Sequence, residues 1–252
     1  MTTNAEFKAK LTSRDPLLGA FFKTPHPILV EILGRTGIDF IVADAEHAPF
    51  DRAGIDTLLI AARGVGLPVI VRVPTRGPDW IGFVLDAGAA GVMVPHVNSV
   101  DEARALVAEC RYRPGHRGFA GTTRAADYAG RTLTEQLTSP EAEVSLICQI
   151  EEPAGVAAAA EMAAVGGVDA LFVGRADLAV ASGRDNFFAP EVIEDTNAVL
   201  GVSGAATGLY CAPTEELAPF RAAGASLFVV GSEHTLITTA AAALRARFDA
   251  ET

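Results

Sequence analysis

Val144-Ser-Leu-Ile-Cys-Gln-Ile-Glu151 is a short apolar run that ends in polar residues, and Ala170-Leu-Phe-Val-Gly-Arg-Ala-Asp177 repeats the pattern further along the chain. Runs of this length, rich in Val, Ile, Leu and Phe, read as strands buried on both faces of a parallel sheet, here Val144–Glu151 and Ala170–Gly174. Six more share the pattern: Leu17–Phe22, Phe40–Ala45, Val69–Val73, Gly91–Pro95, Thr207–Cys211 and Leu227–Gly231. Between them lie helical stretches such as Ser99–Cys110, where Ser99 can cap and apolar residues alternate with Asp101, Glu102 and Arg104. Gly-Ile-Asp, Gly-Ala-Ala-Gly, Gly-Val-Asp and Gly-Ala-Ser, each just ahead of a strand, read as helix C-caps. Eight strands alternating with helices predict the α/β class, a (β/α)8 TIM barrel, and 252 residues suit one such domain over the whole chain. The irregular stretch Tyr112–Ser139 reads as one long loop, expected as an active-site insertion or a surface excursion.

Composition narrows the function. Half of the residues are apolar and a fifth charged, which supports a large core and excludes a disordered chain. A net charge of -11 argues against nucleic acid, whose binding relies on Lys and Arg, and points to a small-molecule substrate. The first residues lack a basic stretch leading into an apolar one, and no run of about 18 apolar residues occurs, so no membrane association is expected. Three widely spaced cysteines, Cys110, Cys148 and Cys211, predict reduced thiols and a cytoplasmic location.

Barrels of this kind place catalytic groups at the C-terminal ends of their strands. Here the second run continues Asp44-Ala-Glu46-His47, the third carries Arg72, the fifth Gln149 and Glu151, and the sixth Gly174-Arg175-Ala176-Asp177. On adjacent strands, Glu151 and Asp177 would repel each other without a cation. Two carboxylates, with water and substrate oxygens, suit an octahedral Mg²⁺ or Mn²⁺. Zinc suits the pair less, because no Cys or His cluster accompanies it. Taken singly, each carboxylate also reads as a helix cap or a surface charge. His47, with an unperturbed pKa of about 6.5, is the candidate base, although a lone His also caps helices. His96, His116 and His234 are weaker candidates. Arg72, inside Val-Ile-Val-Arg-Val, needs an anion: an enolate, a substrate carboxylate, or a structural pair with Asp44, and these readings are compatible. Gly174 would let backbone N–H groups approach a carboxylate, on the evidence of a single glycine.

Asp44-Ala-Glu46-His47-Ala-Pro, Val-Arg72-Val-Pro, Gln149-Ile-Glu151 and Gly174-Arg175-Ala176-Asp177-Leu occur in one order along nearly the whole chain. The set resembles the class II pyruvate aldolases of the hydroxy-ketoacid (HpcH/HpaI) family. That resemblance implies a metal-dependent carbon–carbon lyase, which reversibly cleaves 4-hydroxy-2-oxo acids to an aldehyde and pyruvate or a related 2-oxo acid such as hydroxypyruvate. It implies that Glu151 and Asp177 hold Mg²⁺ or Mn²⁺, with Co²⁺ a further choice, and that the 2-oxo acid chelates the ion. Arg72 then stabilises the enolate, Gln149 orients the acid, and the backbone amides around Ala176 and Asp177 hold its carboxylate. His47, supported by Asp86, moves protons through a metal-bound water. The resemblance also implies a homo-oligomer, a hexamer, for which the apolar stretch Leu236–Leu244 offers an interface. Many relatives carry Pro at the position of Arg175, which predicts an extra positive charge beside the site. Arg117 and Arg124 are expected to meet an anionic tail or to be solvated surface.

Three alternatives remain at this stage. A metal-free aldolase would use a Schiff-base lysine, and of Lys8, Lys10 and Lys23 only Lys23 stands near a strand end. A lyase acting on acyl-CoA thioesters would share the fold and metal, but it needs a basic patch that so acidic a chain hardly offers. A non-catalytic ligand-binding barrel is the third, against which stands the combination of base, metal ligands and enolate stabiliser.

Overall fold

A computed structural model describes residues 2–212, 215 and 217–252 of the protein. Eight parallel strands close into a barrel in sequential order. They are β1 (Leu17–Phe22), β2 (Phe40–Asp44), β3 (Val69–Arg72), β4 (Gly91–Val94), β5 (Ser145–Ile150), β6 (Ala170–Val173), β7 (Ala206–Cys211) and β8 (Leu227–Ser232). Each expected run is one of these strands to within one residue at either end. The helices outside them are α2 (Pro27–Leu33), α3 (Arg52–Val65), α4 (Pro78–Asp86), α5 (Val100–Cys110), α7 (Pro153–Ala163), α8 (Arg175–Ala181), α9 (Pro190–Leu200), α10 (Ala218–Ala223) and α11 (Glu233–Glu251); α1 (Asn4–Thr12) and α6 (Leu133–Glu143) lie at the lower end. Ser99 caps α5 by accepting from the Glu102 amide. Gly37, Gly88, Gly167 and Gly224 all adopt positive φ between their helix and the next strand, but only Gly224 is itself the cap residue.

Successive strand residues face opposite sides of the sheet, and the core divides accordingly. Phe21, Phe40, Val42, Ile70, Met93, Ile147, Phe172, Leu227 and Val229 fill the barrel interior. The intervening residues, such as Ile41, Val71, Val92 and Leu171, pack outward against the helices. At the lower end α1 closes the barrel. Phe7 and Leu11 are fully buried in the interior cluster, with the Phe7 ring 5.3 Å from that of Phe40. The Lys8 ammonium donates to the Val144 carbonyl at 2.6 Å and pairs with Asp169 at 3.1 Å. Burial pulls the Lys8 pKa down while Asp169 opposes the shift.

The stretch 112–139 departs from expectation twice. It holds a 3₁₀ turn (Arg124–Ala129) and the first part of α6, which Thr132 and Glu135 start with a capping box. It also stays away from the mouth, because a connection that leaves a helix of a parallel barrel starts at the N-terminal ends of the strands. Arg117 binds Asp86 and Arg124 binds Asp56, each at 2.8 Å, so neither awaits a substrate tail. A cavity of about 660 Å³ opens there, lined in part by Asn4, Arg63, Arg117, Arg124 and Arg131. Each of its guanidiniums has a carboxylate partner, so little net charge is left to attract an anion. Among the described residues, no helix is long and apolar enough to cross a membrane.

Removing the Phe7 ring should leave a cavity at the closed end. Phe7→Ala is expected to cost about 3–5 kcal/mol in urea unfolding. An unchanged midpoint would refute the closing role of α1.

Candidate active site

The same alternation that fills the interior builds the site. Val42 points inward, so Asp44 does as well; Ile70 leads to Arg72, Ile147 to Gln149 and Glu151, and Phe172 to Gly174. Below these positions the interior is apolar. At their level the barrel opens, and the inward residues become polar.

Asp44 and Arg72 are register partners on β2 and β3. The guanidinium pairs closely with Asp44: Nε donates to Oδ1 at 3.0 Å, and Nη2 lies 2.8 Å from Oδ2. Its Nε also lies 3.3 Å from Glu46 Oε2, and the group stacks 4.7 Å from the Phe21 ring centroid. Nη1 takes no part in these pairs. Lys23, at the end of β1, adds a second cation 3.3 Å from Asp44 Oδ2. Burial alone would raise the Asp44 pKa, but Arg72, the His47 amide and Lys23 together hold it below the usual carboxylate value. Lys23 is thus an ion-pair partner, which argues against the Schiff-base route.

Glu151 is the most perturbed carboxylate described. It is 2% exposed, and its pKa is pushed up to about 7, chiefly by burial and further by the charges of Asp177 and Glu46, against the opposing effect of His96. Gln149 Nε2 donates to its Oε1 at 2.6 Å, and the His96 amide to its Oε2 at 3.0 Å. His96 adopts φ 55°, a left-handed conformation uncommon outside glycine. Gly174 has a reason of its own: a Cβ there would meet Glu151 Oε1 at 2.7 Å and Gln149 Nε2 at 3.1 Å. Gln149 Oε1, Glu46 Oε2 and Asp44 Oδ2 are buried and accept no hydrogen bond, although the last two lie in ion pairs with Arg72.

Asp177 and Ala176 lie exposed in the first turn of α8, just after Gly174. Arg175, expected to add charge beside the site, is instead buried and bound at both ends of its fork by Glu215, at 2.7 and 2.8 Å. His47 is 58% exposed at the mouth. Its amide donates to Asp44 Oδ1 at 3.1 Å, and its Nε2 lies 3.7 Å from Glu46 Oε2. Asp86 does not support it within this chain. As the last residue of α4, which runs away from the mouth for roughly 13 Å at 1.5 Å per residue, Asp86 sits toward the lower end and binds Arg117. His116 is exposed beside Glu109, also off the mouth, while His234 Nε2 lies 2.8 Å from the Thr24 hydroxyl at the β1–β8 seam. Sequence reasoning assigned no role to Glu46 or Glu233. Glu46 was legible as the next inward position after Asp44. Glu233 accepts from the amides of Lys23 and Thr24 at 2.8 and 2.6 Å and closes the seam.

Among the described residues, no group of three or more His, Cys, Asp or Glu is arranged to hold a metal ion. A cation here would therefore take Glu151 and Asp177 and complete its shell with water and ligand oxygens, as hard divalent ions do. The donors are all oxygens, and the buried Glu151 carboxylate with like charges around it is stabilised by such an ion, so the residues fit one.

Known proteins are similar to this chain over most of their length. Hydroxypyruvate/pyruvate aldolase of Roseovarius nubinhibens is 35% identical over 241 residues, covering 93% of each chain. 5-Keto-4-deoxy-D-glucarate aldolase of Klebsiella pneumoniae is 34% identical, covering 90% of each. A solved HpcH/HpaI aldolase/citrate lyase family protein from Burkholderia cenocepacia superposes with a TM-score of 0.90 at 32% identity, over 98% of this chain and 100% of that one. The match to the family itself runs over residues 17–240, from the first residue of β1 into α11, and the chain belongs to the HpcH/HpaI aldolase/citrate lyase family.

Proposed function

We propose that this barrel cleaves and forms the C3–C4 bond of 4-hydroxy-2-oxo acids, with Mg²⁺ or Mn²⁺ held by Glu151 and Asp177. The chain is a class II aldolase, a carbon–carbon lyase that yields a pyruvate-type product. The observation that carries the metal reading is Glu151, a buried carboxylate raised to about 7 beside two further carboxylates. When bound, the cation acts as a Lewis acid toward the keto oxygen. The residues supply the rest. In cleavage a base at the mouth, His47, takes the C4 hydroxyl proton. The C3–C4 bond breaks, the aldehyde leaves, and the electron pair becomes the enolate of the oxo acid. Arg72 stabilises the charge on the enolate oxygen from a fixed, desolvated position. Reprotonation at C3 gives the oxo acid. The amides of Ala176 and Asp177 and the lack of a side chain at Gly174 favour a carboxylate there. The unpartnered Gln149 Oε1 suits a donor from a hydroxylated ligand such as a hydroxypyruvate unit.

The free, buried thiols of Cys110, Cys148 and Cys211 suit a cytoplasmic protein. A homo-oligomer, with the hexamer as its expected form, is favoured by α11. Only Glu233 of its 19 residues is buried, and Leu236, Ile237, Leu244 and Phe248 are exposed. An apolar groove of about 330 Å³ lined by Leu17, Leu18, Leu217 and Phe228 runs outside β1 and β8, where the helix after the last strand of a barrel would lie.

Retro-aldol release of pyruvate should require added Mg²⁺ or Mn²⁺, and activity that survives exhaustive chelation would overturn the mechanism. Arg72→Ala should lower kcat by about 10²–10³ with little change in Mn²⁺ affinity, whereas Asp177→Ala should weaken that affinity. Gly174→Ala, by displacing Glu151 and Gln149, should weaken Mn²⁺ binding about 10–100-fold in a folded protein; an unchanged binding isotherm would remove the packing argument. Sedimentation should show an oligomer that Leu244→Asp with Phe248→Asp dissociates, and a monomeric wild type would refute the assembly.

A further inference from the structure

Arg175 stands in sequence between Gly174, which packs on Glu151, and the Ala176–Asp177 pair, yet its side chain goes to the neighbouring strand. Nη1 donates to Glu215 Oε1 at 2.7 Å, and Nη2 to Glu215 Oε2 and to the Tyr210 carbonyl, both at 2.8 Å. Glu215 Oε2 also accepts from the Ala212 amide at 3.1 Å, which anchors the acid to the end of β7. The guanidinium carbon lies 4.9, 5.4 and 5.7 Å from the ring centroids of Phe220, Phe187 and Phe188. The two side chains are 3% and 11% exposed, and Arg175 Nε is buried without a partner.

An ion pair so desolvated is a poor source of net stability, because well-packed apolar residues of similar volume often do as well. What it does supply is geometry. A planar fork held by a carboxylate, a carbonyl and stacked rings fixes both the position and the direction of its backbone. We infer that Arg175 is a positioning residue of the metal site: through Glu215 it ties the first turn of α8 to the end of β7 and so sets the place of Asp177 and of the Ala176 and Asp177 amides. It makes no contact with the substrate itself. The inference rests on the proposed role of Asp177 as a metal ligand.

The test uses the full-length protein, with Mn²⁺ titrated calorimetrically without substrate, steady-state retro-aldol kinetics, and thermal melts. Arg175→Lys keeps the charge but loses the fork. It should weaken Mn²⁺ binding about 10–100-fold and raise KM for the oxo acid, as loss of an outer support does. The double variant Arg175→Met with Glu215→Gln removes the buried charges together. It should melt near the wild type while Mn²⁺ affinity stays reduced, an outcome that a merely structural pair does not give. Wild-type Mn²⁺ affinity in either variant overturns the inference, and where Arg175→Lys does not fold the double variant alone decides. A wild type that binds no Mn²⁺ overturns the metal reading and this inference with it; a wild type that binds Mn²⁺ as tightly as the variants overturns this inference alone.

Discussion

A strand in a closed parallel barrel gives every second side chain to the interior at a height fixed by its register, and that constraint places the chemistry of this protein. Ile70, Ile147 and Phe172 occupy the dry interior, and the next inward position on each strand has to face whatever fills the mouth. Those positions are Arg72, Gln149 and Gly174, with Asp44 beside Arg72 by direct register pairing. Slipping one strand by a single residue would bury Arg72 among outward helices and expose Val71 to the mouth, so fold and site are specified together.

Electrostatics then sets what the mouth accepts. Lys23 and Arg72 face Asp44, Glu46, Glu151 and Asp177, so carboxylates outnumber cations in a low-dielectric setting. An anionic oxo acid would be repelled from such a cluster. A divalent ion on Glu151 and Asp177, as proposed, would neutralise that excess and supply a chelating centre, so one ion would serve both admission of the substrate and stabilisation of the enolate. Arg72 completes this because Asp44 and Phe21 hold it rigidly before any ligand arrives.

What the sequence disclosed follows from which interactions are local. Strand runs such as Leu17–Phe22, the Ser99 cap and the polar strand ends depend on patterning within a few residues, and all are present as read. Asp86 lies off the mouth of its own barrel, and of the two readings of 112–139 the surface excursion holds, because a helix carries its last residue far from the strand it follows, a distance that no local pattern reports. The neutralised Arg175 was hidden for a related reason: its partner Glu215 is 40 residues away in sequence, and only the closure of β6 beside β7 brings them together. The reason for Gly174 lay in the packing of Glu151, a contact between strands rather than a property of the turn.

The two proposed metal ligands come from different kinds of scaffold, and this divides the labour of the site. Glu151 continues a buried strand and is held on both oxygens by Gln149 and His96, so its position is a property of the barrel. Asp177 is exposed in the first turn of α8, and its position depends on what secures that turn from either side: the bare Cα of Gly174 against Glu151, and the buried fork of Arg175. In the proposed site the oxo-acid half of a substrate would meet the buried Glu151, Gln149 and Arg72 together with the exposed turn at Asp177. The aldehyde half would meet His47 and His96, both half exposed on loops after their strands. Such a site keeps one half of its chemistry fixed and leaves the other to the loops, which accords with relatives on this fold whose names specify different substrates.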